Sequence, residues 1–425
     1  MRKKKWLERG KSILIALLAL MLVVLTILAL PAKTVTDTPW LAAIVRPFAS
    51  VMGLTQGELT YTPMADAGSV TGAAQPTAIS VQNPAGRTSY QYSFSALDSA
   101  FEQFGAALGQ ALETAQEPER TSALRVQQAL STTSVAFYYP GETLAALAAS
   151  WLHVDTALTE RAQWFILSVE KSGVRLYLVG SEQFSCQTQV SGESLEQLLQ
   201  NCTPDGSFFA FEDAQHRFSA LAPLSLLPGQ TPELHAAEAS NPCDARFSDA
   251  LASTLGFNPY GDARYTDDAG NTTYTETGYT LSISASGELL LRSEGQVTRF
   301  SAASQTPSEL VECARSLLAT MTSGILADAR LYVTSFEQDG AQSVCTFDYC
   351  LGGIPVLPAG GHAAEIRFSG ASIVQVRLLL RSYTLTTQTL SVLPPAQAAA
   401  ILPEGSDLQL IYSDDANGVS AGWQS

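Results

Sequence analysis

Residues 306–324 read TPSELVECARSLLATMTSG, and this stretch decides the fold class. Thr306 and Glu309 match the two ends of a capping box, and Pro307 stands at the first helical position, where a missing N–H costs nothing. Apolar residues then recur every three or four positions until Gly324. This spacing predicts a helix with one buried face, made of Leu310, Ala314, Leu317 and Met321.

Strand patterns follow this helix, and they are predicted at Ala329–Glu337, Ser343–Leu351, Ala363–Phe368 and Ile373–Ser382. Alternation in the last strand predicts an inner face of Val374, Val376, Leu378 and Leu380, and an outer face of Gln375, Arg377 and Arg381. A helix at Pro394–Ile401 and a strand at Leu408–Tyr412 complete the unit. A helix laid across an antiparallel sheet is an α+β arrangement.

The preceding segment repeats this order. Asp244 precedes a predicted helix that ends at Gly256 and has Phe247, Ala250, Leu251 and Leu255 on one face. Strands are predicted at Tyr274–Ser284 and Glu288–Phe300, joined near Ser286-Gly287. The C-terminal half is therefore predicted to be a tandem of two helix-on-sheet units, at residues 239–305 and 306–425.

A separate α+β domain is predicted over residues 76–238. It opens with a helix that Ser95 can cap, whose apolar face is Leu97, Phe101, Phe104, Leu108 and Leu112. We expect Pro140-Gly141 to stop a strand at Ser134–Tyr139. The remaining predicted elements are a helix at Glu142–Leu152, a hairpin of Trp164–Val169 and Val174–Val179, a helix at 192–201 and a strand at Ser207–Phe211. The Pro-, Gly- and Gln-rich stretch 223–242 marks its boundary.

The N-terminal segment predicts a membrane anchor. Basic residues precede an apolar run from Ile13 to Leu30, and as a helix this run spans roughly 28 Å, the thickness of a hydrocarbon core. The cation excess predicts a cytoplasmic N-terminus, with everything after Lys33 outside. A cleaved signal peptide is the alternative, although its apolar region is usually shorter and Leu30-Pro31-Ala32 is a poor cleavage site. We assign residues 1–33 to a cytoplasmic tail and single transmembrane anchor, and 34–75 to a linker.

One stripe of the predicted membrane helix concentrates its small and polar side chains. Small residues let helices approach closely in lipid. The stripe is therefore predicted to be a partner face, and it comprises Ser12, Ala16, Ala19, Val23 and Thr26. The alternative is that alanine is simply common in spanning helices.

Charge and cysteine content limit the function further. The chain has 24 Lys and Arg against 40 Asp and Glu; residues 1–33 hold seven of the bases and one acid, which leaves a net charge of −22 for the rest. Such a surface repels nucleic acid. Six cysteines, at 186, 202, 243, 313, 345 and 350, could form disulfides in an exported chain, and the sequence leaves their pairing open. Scattered histidines and no C-x-x-C predict no metal site.

Three candidate catalytic patterns are weak. Residues 418–422, GVSAG, match a nucleophile elbow, but no histidine follows them, so we expect a flexible tail. A carboxylate cluster could act in a glycosidase or hold calcium, but it is better explained as a turn; it comprises Asp262, Asp267, Asp268 and Glu276. We expect His362 to be exposed in a loop. The sequence predicts neither an enzyme nor a cofactor.

Six further motifs stand out: Phe137-Tyr138-Tyr139-Pro140, residues 173–178 (GVRLYL), residues 255–259 (LGFNP), Tyr274-Thr275-Glu276 with residues 281–284 and Gly287, residues 352–356 (GGIPV), and Leu410-Ile411-Tyr412 with Trp423. Together they resemble the YycH/YycI regulatory proteins. The resemblance implies PepSY-like exported units on a membrane anchor. It also implies a non-enzymatic regulator whose partner is a sensor histidine kinase, with a paralogous regulator as a further candidate partner, in a pathway that controls cell-wall metabolism.

A second class of function stays open beside this one. The chain could be an envelope-assembly or ligand-binding protein that acts through its exported domains alone. The nature of any small-molecule ligand, the identity of the kinase and the sign of the regulation are not determined by the sequence.

Overall fold

The computed structural model describes residues 59–60, 75–276, 278–294, 299–415 and 418–424. The predicted anchor and its partner face lie outside these residues. No helix within the described ranges is long and apolar enough to cross a membrane. The helices are α1 (Phe94–Thr114), α2 (Ala123–Leu130), α3 (Ala145–Trp151), α4 (Gly192–Leu199), α5 (Ala245–Thr254), α6 (Pro307–Met321) and α7 (Pro395–Ala399).

Strands are numbered in chain order from β1 (Leu59–Thr60). An antiparallel sheet of seven strands has the spatial order β3-β2-β5-β6-β7-β8-β4. Its members are β2 (Ala78–Asn83), β3 (Gly86–Tyr90), β4 (Glu119–Arg120), β5 (Ser134–Leu144), β6 (Arg161–Glu170), β7 (Gly173–Val179) and β8 (Gln183–Gln187). Its two faces are covered by different helices: α1, α3 and α4 pack on one, and α2 packs on the other.

The amphipathic pattern of α1 explains why it lies on this sheet. All five residues of its predicted apolar face are buried, and they pack with inward residues of β2, β5, β6 and β7. Burial of such side chains contributes roughly 1.5–3 kcal/mol each. The helix begins two residues earlier than predicted. Ser93, not Ser95, is the N-cap residue, and its side chain accepts a hydrogen bond from Ala96 N.

A second sheet is built around the long strands β17 and β18. Its main path is β12-β13-β14-β15-β21-β20-β18-β19-β23-β24, and β1, β16 and β17 pair at its sides. These strands are β12 (Arg264–Thr266), β13 (Thr272–Glu276), β14 (Tyr279–Ile283), β15 (Glu288–Ser293), β16 (Phe300–Ser301), β17 (Ala329–Asp339), β18 (Gln342–Leu351), β19 (Ile354–Pro358), β20 (Ala364–Ser369), β21 (Ser372–Leu379), β23 (Gln409–Asp415) and β24 (Gly418–Gln424).

Two small ladders complete the architecture. Strands β9 (Phe208–Phe209) and β10 (Leu226–Leu227) pair with each other, as do β11 (Leu234–Ser240) and β22 (Ser382–Leu390). Strand β15 pairs with β21, so the two predicted helix-on-sheet units share one continuous sheet. Helices packed on antiparallel sheets confirm the predicted α+β class.

Several boundaries differ from the predictions. Strand β5 continues through Pro140-Gly141. The pairing with β6 shifts register between Tyr138 and Thr143, so no backbone N–H is needed from Pro140 for the ladder. The helix after it accordingly begins at Ala145. The segment predicted as one strand at 274–284 forms β13 and β14, since Gly278 turns the chain with φ +78°.

Further differences concern local contacts. The prediction of a capping box at Thr306 is wrong, because the Thr306 side chain makes no capping hydrogen bond. Pro307 does begin α6, as predicted. Residues 418–422 are not a tail but part of β24, which pairs along its length with β23. In β21 the predicted alternation holds from Val376 onward, but Ile373 is buried in place of Val374. A register shift beside β20 is the reason.

Candidate functional site

The seven-stranded sheet and the larger sheet meet along a junction, and we call their surroundings the first lobe (residues 75–227) and the second lobe (residues 234–424). One part of the junction is tightly packed and polar. Trp151, at the end of α3, donates its indole N–H to Glu312 Oε2 at 3.0 Å. Glu312 also pairs with Arg315 on the next turn of α6, and both side chains are more than 90% buried.

An ion pair between the two lobes lies in the same part of the junction. Arg330 on β17 donates from both terminal nitrogens to the two carboxylate oxygens of Asp98 on α1, each at 2.8 Å. Its guanidinium lies 4.0 Å from the centre of the Phe94 ring. Planar, bidentate contacts of this kind fix orientation as well as distance.

Glycines bring the two backbones into direct contact. A Cβ at Gly141 would stand 2.3 Å from the carbonyl oxygen of Thr334, and one at Gly353 would stand 2.6 Å from that of Thr77. Any side chain at either position would push the lobes apart. The Gly352-Gly353 pair of the sequence motif is therefore explained by close approach of β19 to the first lobe. We call Asp98, Gly141, Trp151, Glu312, Arg315, Arg330 and Thr334 the closed contact.

Beside the closed contact the lobes leave an open cavity of about 330 Å³. Its floor is a row of directly paired residues on one face of the first sheet: Ala78, Tyr138, Trp164, Val179 and Gln183. Helix α2 contributes Ala123 and Gln127, which lie one turn apart. The opposite wall belongs to residues 222–226, 353–355 and 407–410. We call this space the amide cavity, because five glutamines line it: Gln91, Gln127, Gln163, Gln183 and Gln409.

The electrostatics of the amide cavity are simple. Asp407 is the one acidic lining residue, and no Lys, Arg or His lines the cavity within the described part of the chain. Ser225 Oγ donates to Asp407 Oδ1 at 2.9 Å. Burial, together with the nearby charge of Asp407, raises the pKa of Tyr138 to about 12. The phenol is therefore a neutral hydroxyl throughout the physiological range.

Aromatic rings form the apolar part of the floor. Tyr138 and Trp164 have ring centroids 4.8 Å apart, and Phe209 packs edge-on against Trp164 at 5.4 Å. This cluster fixes the indole of Trp164 in place. An apolar floor with a few directed polar groups is the general composition of a small-molecule site.

The residues singled out from the sequence do not meet in this cavity. Ser12, Ala16, Ala19, Val23 and Thr26 lie outside the described residues. The Asp267 carboxylate accepts hydrogen bonds from Ala269 N, from Asn271 N and from the side-chain amide of Asn271. The hydrogen bond from the Asn271 side chain, followed by those from the backbone N–H groups, lowers the pKa of Asp267. That geometry is the turn predicted for the acidic cluster. His362 is about half exposed and bonds Asp348 Oδ2 through Nδ1 at 2.8 Å.

Cysteines and metal ligands were also candidates. All six thiols are free, and five of them are buried, with Cys243 half-buried. Among the described residues no three His, Cys, Asp or Glu side chains form a group that could hold a metal ion. The possible disulfides are thus not formed in this structure.

Sequence reasoning missed the amide cavity, although two of its walls were within the quoted motifs. Tyr138 belongs to the FYYP motif, and residues 353–355 belong to GGIPV. Nothing local links these motifs with Gln127 or Asp407. Residues 353–355 and Asp407 lie more than two hundred positions after Tyr138, and no periodicity reports contacts over such a distance.

The two lobes and their junction define a YycH-type fold. The crystal structure of YycH from Bacillus subtilis is similar to this chain, with a TM-score of 0.53 and 10% sequence identity, over 86% of this chain and 96% of that chain. No family model matches the chain, and no curated protein does. The likeness confirms the resemblance inferred from the motifs at the level of the fold.

Proposed function

We propose that this chain is a non-enzymatic, single-pass membrane protein that binds a sensor histidine kinase and modulates two-component signalling linked to cell-wall metabolism. The observation that carries the proposal is the YycH-type fold, which extends over 86% of the chain. The predicted anchor at residues 1–33 would hold this fold at the outer surface of the cell membrane. Contacts would then come from both the membrane helix and the exported lobes.

A regulator of this kind needs only differential binding. A partner that binds one kinase state a few kcal/mol more tightly than the other shifts the population toward that state. The closed contact supports such a role, because it holds the two lobes in one arrangement and so presents a fixed surface to a partner. A paralogous regulator could occupy part of the same surface.

The test exchanges the predicted membrane helix, residues 12–30, for an unrelated spanning helix of equal length. We expect the lobes to remain exported while kinase-dependent transcription and co-purification of the kinase are lost. Full regulation by the exchanged chain would contradict a role for the helix. It would favour the alternative, an envelope-assembly or ligand-binding protein that acts through its exported domains alone.

A finer test addresses the predicted partner face. Ala16→Leu with Ala19→Leu should reduce kinase co-purification several-fold without changing membrane insertion, because larger side chains keep the helices apart. Ala29→Leu is the matched control, since Ala29 lies about 100° away from the centre of the stripe on a helical projection. Equal co-purification of both variants would argue against the stripe.

A further inference from the structure

We propose that the amide cavity is a binding site for a neutral saccharide. The inference rests on the lining of the cavity and does not depend on the kinase partner. The proposal adds a small ligand to a chain for which the sequence left the ligand open.

The charge of the cavity selects against anions and admits neutral ligands. The lining contains one carboxylate, Asp407, and no cationic side chain among the described residues. The exported part of the chain carries a net charge of −22, from 17 basic and 39 acidic residues. A phosphate or carboxylate entering here would be desolvated without a counter-charge, which is costly. A ligand without negative charge avoids this cost.

The polar groups of the cavity match hydroxyl and amide groups. Gln127 and Gln183 make no side-chain hydrogen bond within the described part of the chain, so both amides are available to a ligand. A glutamine amide donates through its nitrogen and accepts through its oxygen. Sugar hydroxyls and acetamido groups likewise donate and accept. The Tyr138 hydroxyl, kept protonated by its raised pKa, adds a further donor.

The floor supplies a surface for one face of a sugar ring. Tyr138 is half-buried and Trp164 is about 8% exposed, and both rings line the floor of the cavity, with Phe209 packed behind Trp164. The negative face of an aromatic ring attracts the weakly positive C–H bonds on one side of a pyranose. An aromatic floor with amides around it therefore complements a ring that is apolar on its face and polar on its rim.

The cavity is also built in advance of any ligand. Ala222 N donates to Ser406 O at 2.8 Å, and Ala210 N donates to Ser225 O at 3.0 Å. With the bond from Ser225 to Asp407, these contacts fix residues 222–226 against the turn that follows β9 and the segment that leads into β23. A preformed site spares a ligand the entropy of ordering its walls. The volume of about 330 Å³ lies within the range of small-ligand pockets.

The experiment titrates the full chain, purified in detergent, with N,N′-diacetylchitobiose and with maltose, and follows heat and tryptophan fluorescence. We expect at least one disaccharide to bind. Gln127→Leu and Gln183→Leu should each weaken that binding about three- to tenfold, the effect of losing one hydrogen bond. Gln128→Leu is the matched control, because Gln128 is exposed on the same helix, and it should leave the affinity unchanged.

Two outcomes would overturn the proposal. The first is that neither disaccharide binds the folded chain at 10 mM, a concentration at which weak sugar complexes of about 1 mM affinity would be well populated. The second is that a disaccharide binds but Gln127→Leu and Gln183→Leu both leave its affinity unchanged. Circular dichroism of each variant separates a lost site from a lost fold. Since both glutamines are only half-buried, we expect the variants to fold.

Discussion

The closed contact and the amide cavity lie side by side in the same junction, yet they are built in opposite ways. In the closed contact, buried charges are paired and glycines bring backbones within touching distance. In the amide cavity, neutral amides face open space, and the available side chains of Gln127 and Gln183 have no protein partner in the described ranges. The first arrangement satisfies its polar groups internally, whereas the second leaves them available.

This difference separates what fixes the lobes from what the junction can bind. The buried Glu312–Arg315 pair lies within α6, and its carboxylate also accepts the Trp151 indole N–H from the first lobe, so the geometry that offsets its desolvation holds α3 against α6. Half-buried amides cost little to leave hydrated, so they can exchange water for a ligand. The junction thus holds the lobes at one side and offers a site at the other. The following predictions test that division, from the largest expected effect to the smallest.

Removing a charge from the closed contact should have the largest effect. Glu312→Ala leaves the buried guanidinium of Arg315 without its carboxylate, and we expect a loss of about 3–5 kcal/mol in the free energy of unfolding. Chemical denaturation of the purified chain measures it. Glu182→Ala is the control, because Glu182 and Arg120 form an exposed pair, for which less than about 1 kcal/mol is expected. Similar losses in both variants would refute the role of the closed contact.

A methyl group at the point of backbone contact should come next. Gly141→Ala would place a Cβ against the carbonyl oxygen of Thr334, and we expect about 1–3 kcal/mol of destabilisation as the lobes separate. Gly422→Ala in β24 is the control, since a Cβ there meets nothing within 4 Å. If thermal unfolding shows equal stability for the two variants, the lobes do not touch as described.

The tryptophan that reaches across the junction should contribute less. Trp151→Phe removes the indole donor to Glu312 while Arg315 still pairs with that carboxylate, so we expect a loss of about 1–2 kcal/mol. Combination with Glu312→Ala should then be less than additive, because both changes break one network. Strict additivity in a double-mutant cycle would show that the two groups do not interact.

A pH-dependent effect is expected at the start of α6. Burial, and then the charge of Glu312, raises the pKa of Glu309, and one of its oxygens is buried without a partner among the described residues. The folded state therefore holds the proton more tightly than the unfolded chain. Stability contributed by the protonated form is present below the ordinary pKa of glutamate and is lost as pH rises through the raised value.

Glu309→Gln tests this directly. The variant should be slightly more stable than the parent at pH 7, by less than about 1 kcal/mol, and indistinguishable from it at pH 4. Thermal unfolding at the two pH values provides the measurement. A variant that is less stable at pH 7 would mean that the ionised carboxylate is stabilising.

The rate at which the thiols react should show how tightly the folded chain packs around them, without any substitution. Burial raises the pKa of Cys186 and Cys313 to about 12 and that of Cys243 to about 11. Maleimide labelling of the folded chain should therefore be slow, and Cys243, the half-buried thiol, should react first. Rapid labelling of several thiols would indicate looser packing of the cores in which they are buried. Resistance to labelling even after unfolding would indicate disulfides.

The local elements of the fold follow from sequence patterns, whereas their partners do not. The three-to-four spacing from Leu97 to Leu112 predicted the buried face of α1, and Lys171-Ser172-Gly173 predicted the hairpin of β6 and β7. Both patterns are local. The prediction that Pro140-Gly141 ends a strand was wrong, because pairing with β6 extends β5 beyond residues that usually end a strand. The prediction of a tail at 418–422 was also wrong, because pairing with β23 makes a strand from a glycine-containing segment.

By itself, the sequence determined the α+β class, the helices with one apolar face and the net negative charge of residues 34–425, because each depends on residues close together in the chain or on composition alone. The tertiary structure decided where Trp151 meets Glu312, why Gly141 must be glycine and which glutamines surround one cavity. Those contacts join residues far apart in sequence. Such contacts form only when the sheets have assembled, and so no local pattern encodes them.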